Sequence, residues 1–424
     1  MARKMKDSGI EWIGEIPEGW EIKYFVQLFS QVKNKNIGLR EKNLLSLSYG
    51  KIKQKNIETV GGLLPDNFEG YNIIDRNDIV LRLTDLQNDQ HSLRVGLSPE
   101  RGIITSAYCS IRVRGAESPN YLYYYLHTFD IAKGFYGMGS GVRQGLNWDG
   151  LKYIKILLPP QHEQDRISVF LNQKTLEIDS ILSKTISSIE EYKKLKQAII
   201  MQAVTKGVRG EREMKDSGVE WIGEIPKEWV CEKIKYATSI SRGLFNHRPR
   251  NDERYYNGKY PFIQTGDVAN ATKYIVSYSQ TLNELGKSVS KEFPKGTLTM
   301  TIAANVGDVA ILNFDAYFPD SVVGFIPNKN IRTLYLFYVF SAMKDEFTRT
   351  AIKSTQLNLN IDRVKETFIP VTHDSNEQCE IENYLESKCA EIDGLIAKKE
   401  QLVKELESYK KSLIYEVVTG KREV

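Results

Sequence analysis

Two short stretches of the sequence contain residues that proteins use to bind phosphate groups. The tripeptide "GKS" at 286–288 matches the end of a phosphate-binding loop, but Thr281 stands where the first glycine of that loop is required. The glycine-rich "GMGSG" at 137–141 follows no predicted strand and opens no predicted helix, as a dinucleotide-binding loop would. Neither stretch predicts a nucleotide site, and a mobile loop is the preferred interpretation of the second.

Other residues that could perform catalysis or bind a metal also lack the required spacing. The Pro-Asp pairs at 65–66 and 319–320 are not followed by the acidic-x-Lys triplet of a nuclease core, and "LLPPQ" at 157–161 lacks the Asn of the "NPPY" loop of adenine methyltransferases. The four cysteines form no CxxC pair, and the five histidines form no HxxxH or HxH pair. The sequence therefore predicts no catalytic residue, no metal site and no disulfide framework.

Basic and amide side chains are mixed with turn-forming residues at several places in the chain. Lys and Arg neutralise phosphates, whereas Arg to guanine and Asn or Gln to adenine can make the contacts that read a DNA sequence. A run of this kind is often only a solvated surface, but here two comparable parts of the chain each carry one. The candidate DNA-binding residues are Lys33, Lys35, Arg40, Lys53, Gln54, Lys55, Asn56, Arg82, Gln87, Asn88, Arg94, Arg143, Gln144, Arg242, Asn246, Arg248, Arg250, Arg254, Thr355, Gln356 and Asn358.

The sequence segments that should position these residues occur twice in the chain. "MKDSGIEWIGEIP" at 5–17 returns at 214–226 with one Ile changed to Val, and each copy continues with a Trp and an "IKY" stretch at 22–24 or 234–236. Later landmarks match at one constant offset, such as "EID" at 177–179 and again at 391–393. Two copies of a long unit indicate a duplicated domain rather than a solenoid.

Each copy ends in a long predicted helix. At 1.5 Å per residue a helix of about 40 residues is roughly 60 Å long, which exceeds the width of a 150-residue domain. Apolar residues at alternating spacings of three and four form a coiled-coil stripe on each helix, interrupted by Thr185, Lys196, Lys399 and Lys410. We expect the two helices to pair in antiparallel fashion, although each could instead pack on its own domain. The residues predicted to pack the helical pair are Ile178, Leu182, Ile189, Tyr192, Ile199, Leu385, Ile392, Ile396, Val403, Leu406 and Leu413.

The predicted fold class is α+β, because strands come first in each copy and a single aromatic helix follows without steady βαβ alternation. The expected architecture is two tandem α+β target recognition domains separated by two long antiparallel coiled-coil helices, with a pseudo-twofold internal duplication. The predicted domains are 1–158 and 214–369 for recognition, with helical spacers at 159–213 and 370–424.

Composition leaves several functions open. The 424 residues, 41% hydrophobic and 26% charged, predict a soluble globular protein of two to four domains. The net charge of +4 is only a weak indication of an anionic partner. Neither a membrane-spanning run nor an N-terminal signal core is present in the sequence, so the cytoplasm is the predicted compartment.

The sequence resembles the specificity subunit of type I restriction–modification systems. The resemblance rests on "SGxEWIGEIPxxW" at each domain start, "IKILLPPQHEQDRI" leading into "EIDSIL", and the closing "AIIMQAVTKG" of the first copy. The second helical entry, "IPVTHDSNEQCEIENYL", departs from this pattern because it lacks the paired prolines.

That resemblance implies a non-catalytic DNA-binding subunit. Each recognition domain would read one half of a split double-stranded DNA site, and the helices would act as spacer and as docking surface for two modification subunits and for restriction subunits. No cofactor is expected on this chain, because S-adenosylmethionine, ATP and Mg belong to the partners. Two alternatives remain: a duplicated scaffold that binds no DNA and assembles through its coiled coil, and an enzyme in its own right.

Overall fold

The computed structural model describes residues 3–56, 67–89, 91–139, 145–303, 305–350, 352–353 and 357–424, without the side chains of residues 350, 352–353 and 357–358. The chain divides into two compact units, one of Met1–Ile186 with Gln401–Val424 and one of Ser187–Glu400. Each unit contains a globular part and a portion of both long helices. The predicted domain limits, which separate the helices from the globular parts, stay a prediction.

The first unit is built mainly from short antiparallel strands and one aromatic helix. Its elements, in chain order and with the whole of the first long helix, are β1 Met5–Asp7, β2 Glu15–Pro17, β3 Glu21–Tyr24, α1 Phe25–Leu28, β4 Phe29–Gln31, β5 Leu45–Ser48, β6 Lys51–Gln54, β7 Asn72–Ile74, β8 Ile79–Leu81, β9 Val95–Leu97, β10 Gly102–Ile104, β11 Cys109–Val113, α2 Pro119–Ile131, α3 Trp148–Leu151, β12 Lys155–Leu158 and α4 Gln161–Lys206.

The second copy repeats this order with additional elements. They are β13 Met214–Asp216, β14 Glu224–Pro226, β15 Val230–Lys233, α5 Ile234–Ala237, β16 Thr238–Arg242, a 3₁₀ turn Glu253–Tyr255, β17 Tyr256–Phe262, α6 Thr265–Asn270, β18 Tyr274–Ile275, β19 Gln280–Leu282, α7 Glu284–Ser288, β20 Glu292–Phe293, β21 Leu298–Thr301, β22 Val309–Leu312, β23 Ala316–Tyr317, β24 Val322–Pro327, α8 Thr333–Ala342, α9 Lys344–Thr350, β25 Ile352–Lys353, β26 Leu357–Asn358, α10 Ile361–Glu366, β27 Phe368–Val371 and α11 Ser375–Val418.

A common frame of strands underlies both copies. In the first unit the sheet order is β4-β11-β8-β9, and in the second the order β16-β24-β21-β22 repeats it, with β18 added at the edge. The antiparallel pair β7–β10 likewise corresponds to β20–β23, and β3–β12 corresponds to β15–β27. The two copies therefore share their strand pairing, and each globular part has mixed α and β content.

One of the matching stretches in the sequence is not equivalent in the structure. Residues 22–24 lie in strand β3, whereas residues 234–236 lie in helix α5. Equivalent residues of the two frames are here separated by the same number of positions as Trp20 and Trp229. The two "IKY" stretches have a different separation, so they fall in different elements. The match of these letters in the two copies is therefore not a match of structural position.

The aromatic helix of each copy is attached to the start of a long helix by a buried glutamine. Gln164 Oε1 accepts a hydrogen bond from the Ser118 backbone at 2.9 Å, and Gln378 Oε1 accepts one from the Arg332 backbone at 2.8 Å. Both glutamines are fully buried. Since Ser118 and Arg332 are the residues that precede α2 and α8, the same amide fixes the same junction in both units.

A second junction joins the opening peptide of each copy to the first turn of a long helix. The indole Nε1 of Trp20 donates to Glu163 at 3.0 Å, and Arg3 pairs with the same carboxylate at 2.6 Å. In the second unit Trp229 Nε1 donates to Glu377 at 3.0 Å, and Arg212 pairs with it at 2.6 Å. We call each set the Trp–Glu–Arg junction.

Within each unit an ion pair links the two long helices. In the first unit Lys410 pairs with Asp179 at 2.5 Å, and in the second Lys196 pairs with Asp393 at 2.7 Å. The two aspartates are equivalent positions of the repeat, and so are the two lysines. Two of the lysines that interrupt the apolar stripes, Lys196 and Lys410, thus form equivalent ion pairs, a use of polar residues that fixes helix register.

The second Trp–Glu–Arg junction provides a stability test. Glu377→Ala leaves Arg212 and the buried Trp229 indole without their acceptor, so we expect a loss of about 3–5 kcal/mol. The matched control is Glu380→Ala, because Glu380 is exposed and its pair with Arg209 lies on the surface, where an ion pair contributes little to stability. Urea unfolding of both variants, followed by tryptophan fluorescence, measures the difference. Equal unfolding midpoints for the two variants would contradict a structural role for the junction.

Candidate nucleic-acid interface

Most candidate DNA-binding residues fall in the same gap of the two frames. Between β4 and β7 the first copy has an insertion of residues 32–71, and between β16 and β20 the second has an insertion of residues 243–291. The insertions differ in content: β5 and β6 in the first, and two strands of a separate four-stranded sheet, β17 and β19, in the second. Two dissimilar polar surfaces are therefore attached at equivalent points of a shared frame.

The first insertion presents its lysines on a β-hairpin. Tyr49 and Gly50 connect β5 to β6, and both have left-handed backbone conformations with φ of 48° and 74°, as a two-residue type I′ turn requires. Ile52 faces the core, whereas Lys53 on the same strand is exposed. Beyond the strand, an open groove of about 390 Å³ is lined by Lys42, Leu44, Gln54, Lys55 and Asn56.

A short closed loop precedes this hairpin. The side chain of Asn36 is buried and both donates to and accepts from the Glu41 backbone at 3.0 Å. Lys35 Nζ donates to the Gly70 carbonyl at 2.8 Å, and Arg40 donates to the Lys35 carbonyl at 3.4 Å. Lys33 is exposed on the strand side of the loop. The candidates Lys35 and Arg40 therefore already make backbone contacts in the free protein.

Gln87 and Asn88 are exposed and Arg82 is half-buried, but Arg94 lies beneath their loop. Arg94 is fully buried, and its guanidinium donates to the carbonyls of Arg82 at 3.0 Å and of Thr84 at 2.9 Å. The prediction that Arg94 contacts DNA is therefore corrected: its charge is enclosed by backbone acceptors. It holds in place the loop that presents Gln87 and Asn88.

A carboxylate also organises this loop. Hydrogen bonds from Ser92, with the charges of Arg94 and Arg82, lower the pKa of Asp89 to about 2. Arg82 pairs with Asp89 at 3.4 Å, and Asn88 donates to Asp85 at 2.8 Å. The loop is thus cross-linked by its own side chains at neutral pH.

The arginine candidates of the second copy lie in its insertion or, for Arg242, at the end of β16 just before it. Arg242, Asn246, Arg248, Arg250 and Arg254 are all exposed. Their backbone is anchored by Phe245, which is buried in a cluster with Tyr256, Phe262, Leu282 and Tyr317. Arg254 pairs with Asp252 at 2.6 Å, and that bond, with others from Arg254 and His247, lowers the pKa of Asp252.

Some predicted residues lie outside the described part of the chain. They are Arg143, Gln144, Thr355 and Gln356. The backbone of Asn358 pairs with Ile352 in the short ladder β25–β26, but its side chain is not described. These predictions stay untested.

The residues predicted for helix packing are removed from solvent to different degrees. Ile178, Ile189, Leu385, Ile392 and Leu413 are buried. Those that are half-buried are Leu182, Tyr192, Ile199, Ile396, Val403 and Leu406. In the first unit Ile178 and Leu413 share one hydrophobic cluster, against which Leu182 and Leu406 pack. In the second, Leu385 belongs to a cluster with Ile199 packed against it.

Two acidic residues with a role at these surfaces were missed by the sequence prediction. Asp320 accepts contacts from Arg248 and Arg250 of the second insertion and from Arg242 at the end of β16. Asp179 pairs with Lys51 of the first hairpin at 2.8 Å as well as with Lys410. The "PD" pair at 319–320 resembles part of a nuclease motif and does not by itself indicate an ion-pair role. The long separation in sequence between Asp320 and its partners conceals this role.

Over the described residues, no group of three His, Cys, Asp or Glu side chains is arranged to hold a metal ion. In the same part of the chain, no helix has the length and apolar character needed to cross a membrane. "GKS" at 286–288 ends a five-residue helix, α7, instead of forming a loop between a strand and a helix. The features of the candidate interface are therefore its charged and amide side chains.

Comparison with known proteins places this architecture in one group. Residues 240–405 match the family model for the type I restriction modification DNA specificity domain. Two specificity subunits of type I restriction enzymes from Methanocaldococcus jannaschii, MjaX and MjaVIII, are 25% and 23% identical to this chain. Each alignment covers 96% of this chain, and they cover 95% and 93% of those proteins.

Solved structures show the same fold. One chain, from a study of complex assembly and conformational transition of the type I R-M system, has a TM-score of 0.73 at 15% identity and matches 96% of this chain and 99% of its own length. The HsdS subunit from Thermoanaerobacter tengcongensis has a TM-score of 0.52 at 15% identity, with 96% and 98% coverage. The resemblance to type I specificity subunits is confirmed.

Type I specificity subunits are non-catalytic, so the chemistry of such systems belongs to other chains. The incomplete phosphate-loop and nuclease-like motifs of this sequence therefore do not indicate a catalytic site. The two insertions and the loops around them are the features that distinguish the two copies.

A substitution at Arg94 tests whether this residue has a structural role instead of contacting DNA. Arg94→Ala removes a buried donor from several carbonyls, so we expect the unfolding free energy to fall by about 2–4 kcal/mol. The control Lys53→Ala changes an exposed side chain and is expected to shift it by less than about 0.5 kcal/mol. Urea titration of the full chain measures both. An Arg94→Ala variant as stable as Lys53→Ala would restore Arg94 as a surface contact.

Proposed function

We propose that this chain is the sequence-specific DNA-binding subunit of a type I restriction–modification complex. The observation that carries the proposal is the pair of unlike polar insertions on one repeated frame, in a chain similar to type I specificity subunits over nearly its whole length. Identical frames attach in the same way to the rest of the molecule, whereas different insertions can read different sequences. Each recognition domain would bind one half of a bipartite double-stranded site.

The long helices are the spacer of this proposal. Two domains placed by antiparallel helices would address two major-groove segments about one helical turn, or about 34 Å, apart. The outer faces of the same helices would dock two modification subunits, and restriction subunits would join the assembly. S-adenosylmethionine, ATP and Mg would be bound by those partners, in the cytoplasm.

The two insertions suit different parts of DNA recognition. Lysines on a hairpin are flexible point charges suited to phosphates, which position a protein without reading sequence. Arginines and amides offer planar pairs of donors or a donor and an acceptor, which match the major-groove edges of guanine and adenine. The exposed Gln54, Gln87 and Asn88 are the corresponding amides in the first unit.

Salt dependence separates this proposal from the alternative of a scaffold that binds no DNA. If the lysines and arginines displace counterions, the logarithm of duplex affinity falls linearly with the logarithm of salt concentration, with a slope of about −0.9 per neutralised phosphate. We expect a clearly negative slope for the full chain with its modification subunits, measured by fluorescence anisotropy. A slope near zero, or no binding, would favour the scaffold.

Exchange of one domain tests the two-reader arrangement. Replacing residues 20–158 with the corresponding segment of a relative should change one half of the recognised site and leave the other half and the spacer unchanged. Methylome sequencing of cells that express the exchanged chain with its modification partner reveals both halves. If both halves change together, the domains do not read DNA independently.

A further inference from the structure

Asp320 is the centre of an arginine cluster in the second unit. It follows β23 in the "PD" pair at 319–320, which matches no catalytic pattern. Arg250 pairs with its Oδ1, Arg248 lies 3.6 Å from its Oδ2, and Arg242 Nε donates to its backbone carbonyl at 2.5 Å. The Asp320 carboxylate therefore faces two arginines, and its backbone carbonyl binds a third.

The cluster keeps an excess of positive charge that is accessible to a ligand. Side chains of Arg248 and Arg250 are 55% and 45% exposed, and that of Asp320 is 34% exposed. An ion pair this exposed adds little to folding stability. Its main effect is to restrict the direction in which the guanidinium groups point.

The backbone beneath the cluster is held tightly. Gly243 lies so close to the Phe318 and Pro319 carbonyls that a Cβ at this position would overlap them. The Leu244 amide donates to the Phe318 carbonyl at 3.0 Å, which fixes the arginine segment to the loop that bears Asp320. Tyr256 donates its hydroxyl hydrogen to the Arg250 carbonyl. The arginines therefore start from an ordered segment, which lowers the entropy cost of ordering them on binding.

The three arginines are not equivalent. Arg248 already donates to the carbonyls of Phe245 at 2.7 Å and of His247 at 2.8 Å, and Arg242 donates to a carbonyl. For Arg250 the contact found is the one between its Nη2 group and Asp320. Arg250 therefore keeps the larger part of its planar donor edge for an incoming acceptor pair, such as the O6 and N7 atoms of guanine.

A carboxylate beside an arginine favours base reading over phosphate binding. Asp320 opposes the approach of a phosphate, because both are anions, but it leaves the neutral edge of a guanine free to bind. We propose that Arg250 reads a guanine in the half-site bound by the second unit, and that Asp320 is the positioning residue that orients it. This inference rests on the proposed function and adds one base to it.

The experiment uses the full chain with its modification subunits and the site found by methylome sequencing. Each guanine of both half-sites is replaced in turn by 7-deazaguanine, which lacks the N7 acceptor, and affinity is measured by anisotropy. We expect one guanine of the half-site bound by the second unit to lose about 5- to 10-fold in affinity, the lower part of the range of a good bidentate contact, because only one of the two acceptors is removed. In Arg250→Ala that position should become insensitive to the substitution.

Variants at Asp320 separate positioning from folding. Asp320→Ala should reduce the preference at that one position while the salt slope stays unchanged, and Asp320→Asn, which keeps an acceptor, should restore part of the preference. The matched control is Arg349→Ala, because Arg349 lies in the same unit, is 68% exposed and paired with Glu346, and is not a candidate DNA-binding residue. We expect that control to retain the wild-type preference.

Results that contradict the inference differ from results that contradict the proposed function. If Arg250→Ala weakens all sequences equally and reduces the salt slope by about one, Arg250 is a phosphate contact and the inference is wrong. It is also wrong if the half-site of the second unit contains no guanine that responds to 7-deazaguanine. If the wild-type complex does not bind duplex DNA, the proposed function itself fails, and the inference fails with it.

Discussion

The carboxylate at the first turn of each long helix is the interaction on which both units depend. Glu163 and Glu377 lie where the helix dipole favours a negative charge, and each accepts an indole hydrogen bond and an arginine. Because the tryptophan closely follows the repeated opening peptide, this contact joins the start of each copy to its helix.

The long helices and the repeated frame were predictable because the sequence has periodic apolar residues and an internal repeat. Apolar stripes, helix length and the proline entry at 159–160 indicate a helix that the structure has as Gln161–Lys206. In the second copy α11 begins at Ser375, and the Asp374 side chain accepts from the Asn376 backbone at 2.9 Å. Asp is among the residue types that commonly cap a helix N-terminus.

The roles of individual charged side chains were not predictable in the same way. Arg94 and Arg250 stand in similar polar sequences, yet one is enclosed by carbonyls and the other is exposed beside a carboxylate. The difference arises from residues distant in the chain, such as Asp320 and the loop 82–89. Single-sequence patterns reveal which residues are charged, but burial and partner choice depend on tertiary contacts. The "IKY" stretches likewise match in letters but not in structural position.

The position of the two insertions has a consequence for how such chains diversify. Both enter immediately after β4 or β16, edge strands that pair with only one frame strand, β11 or β24. Lengthening the chain there breaks no rung of the sheet, and loop-closure entropy rises only logarithmically with length. Selection can therefore enlarge, shorten or replace one insertion at small thermodynamic cost, while the repeated strand frame stays constant.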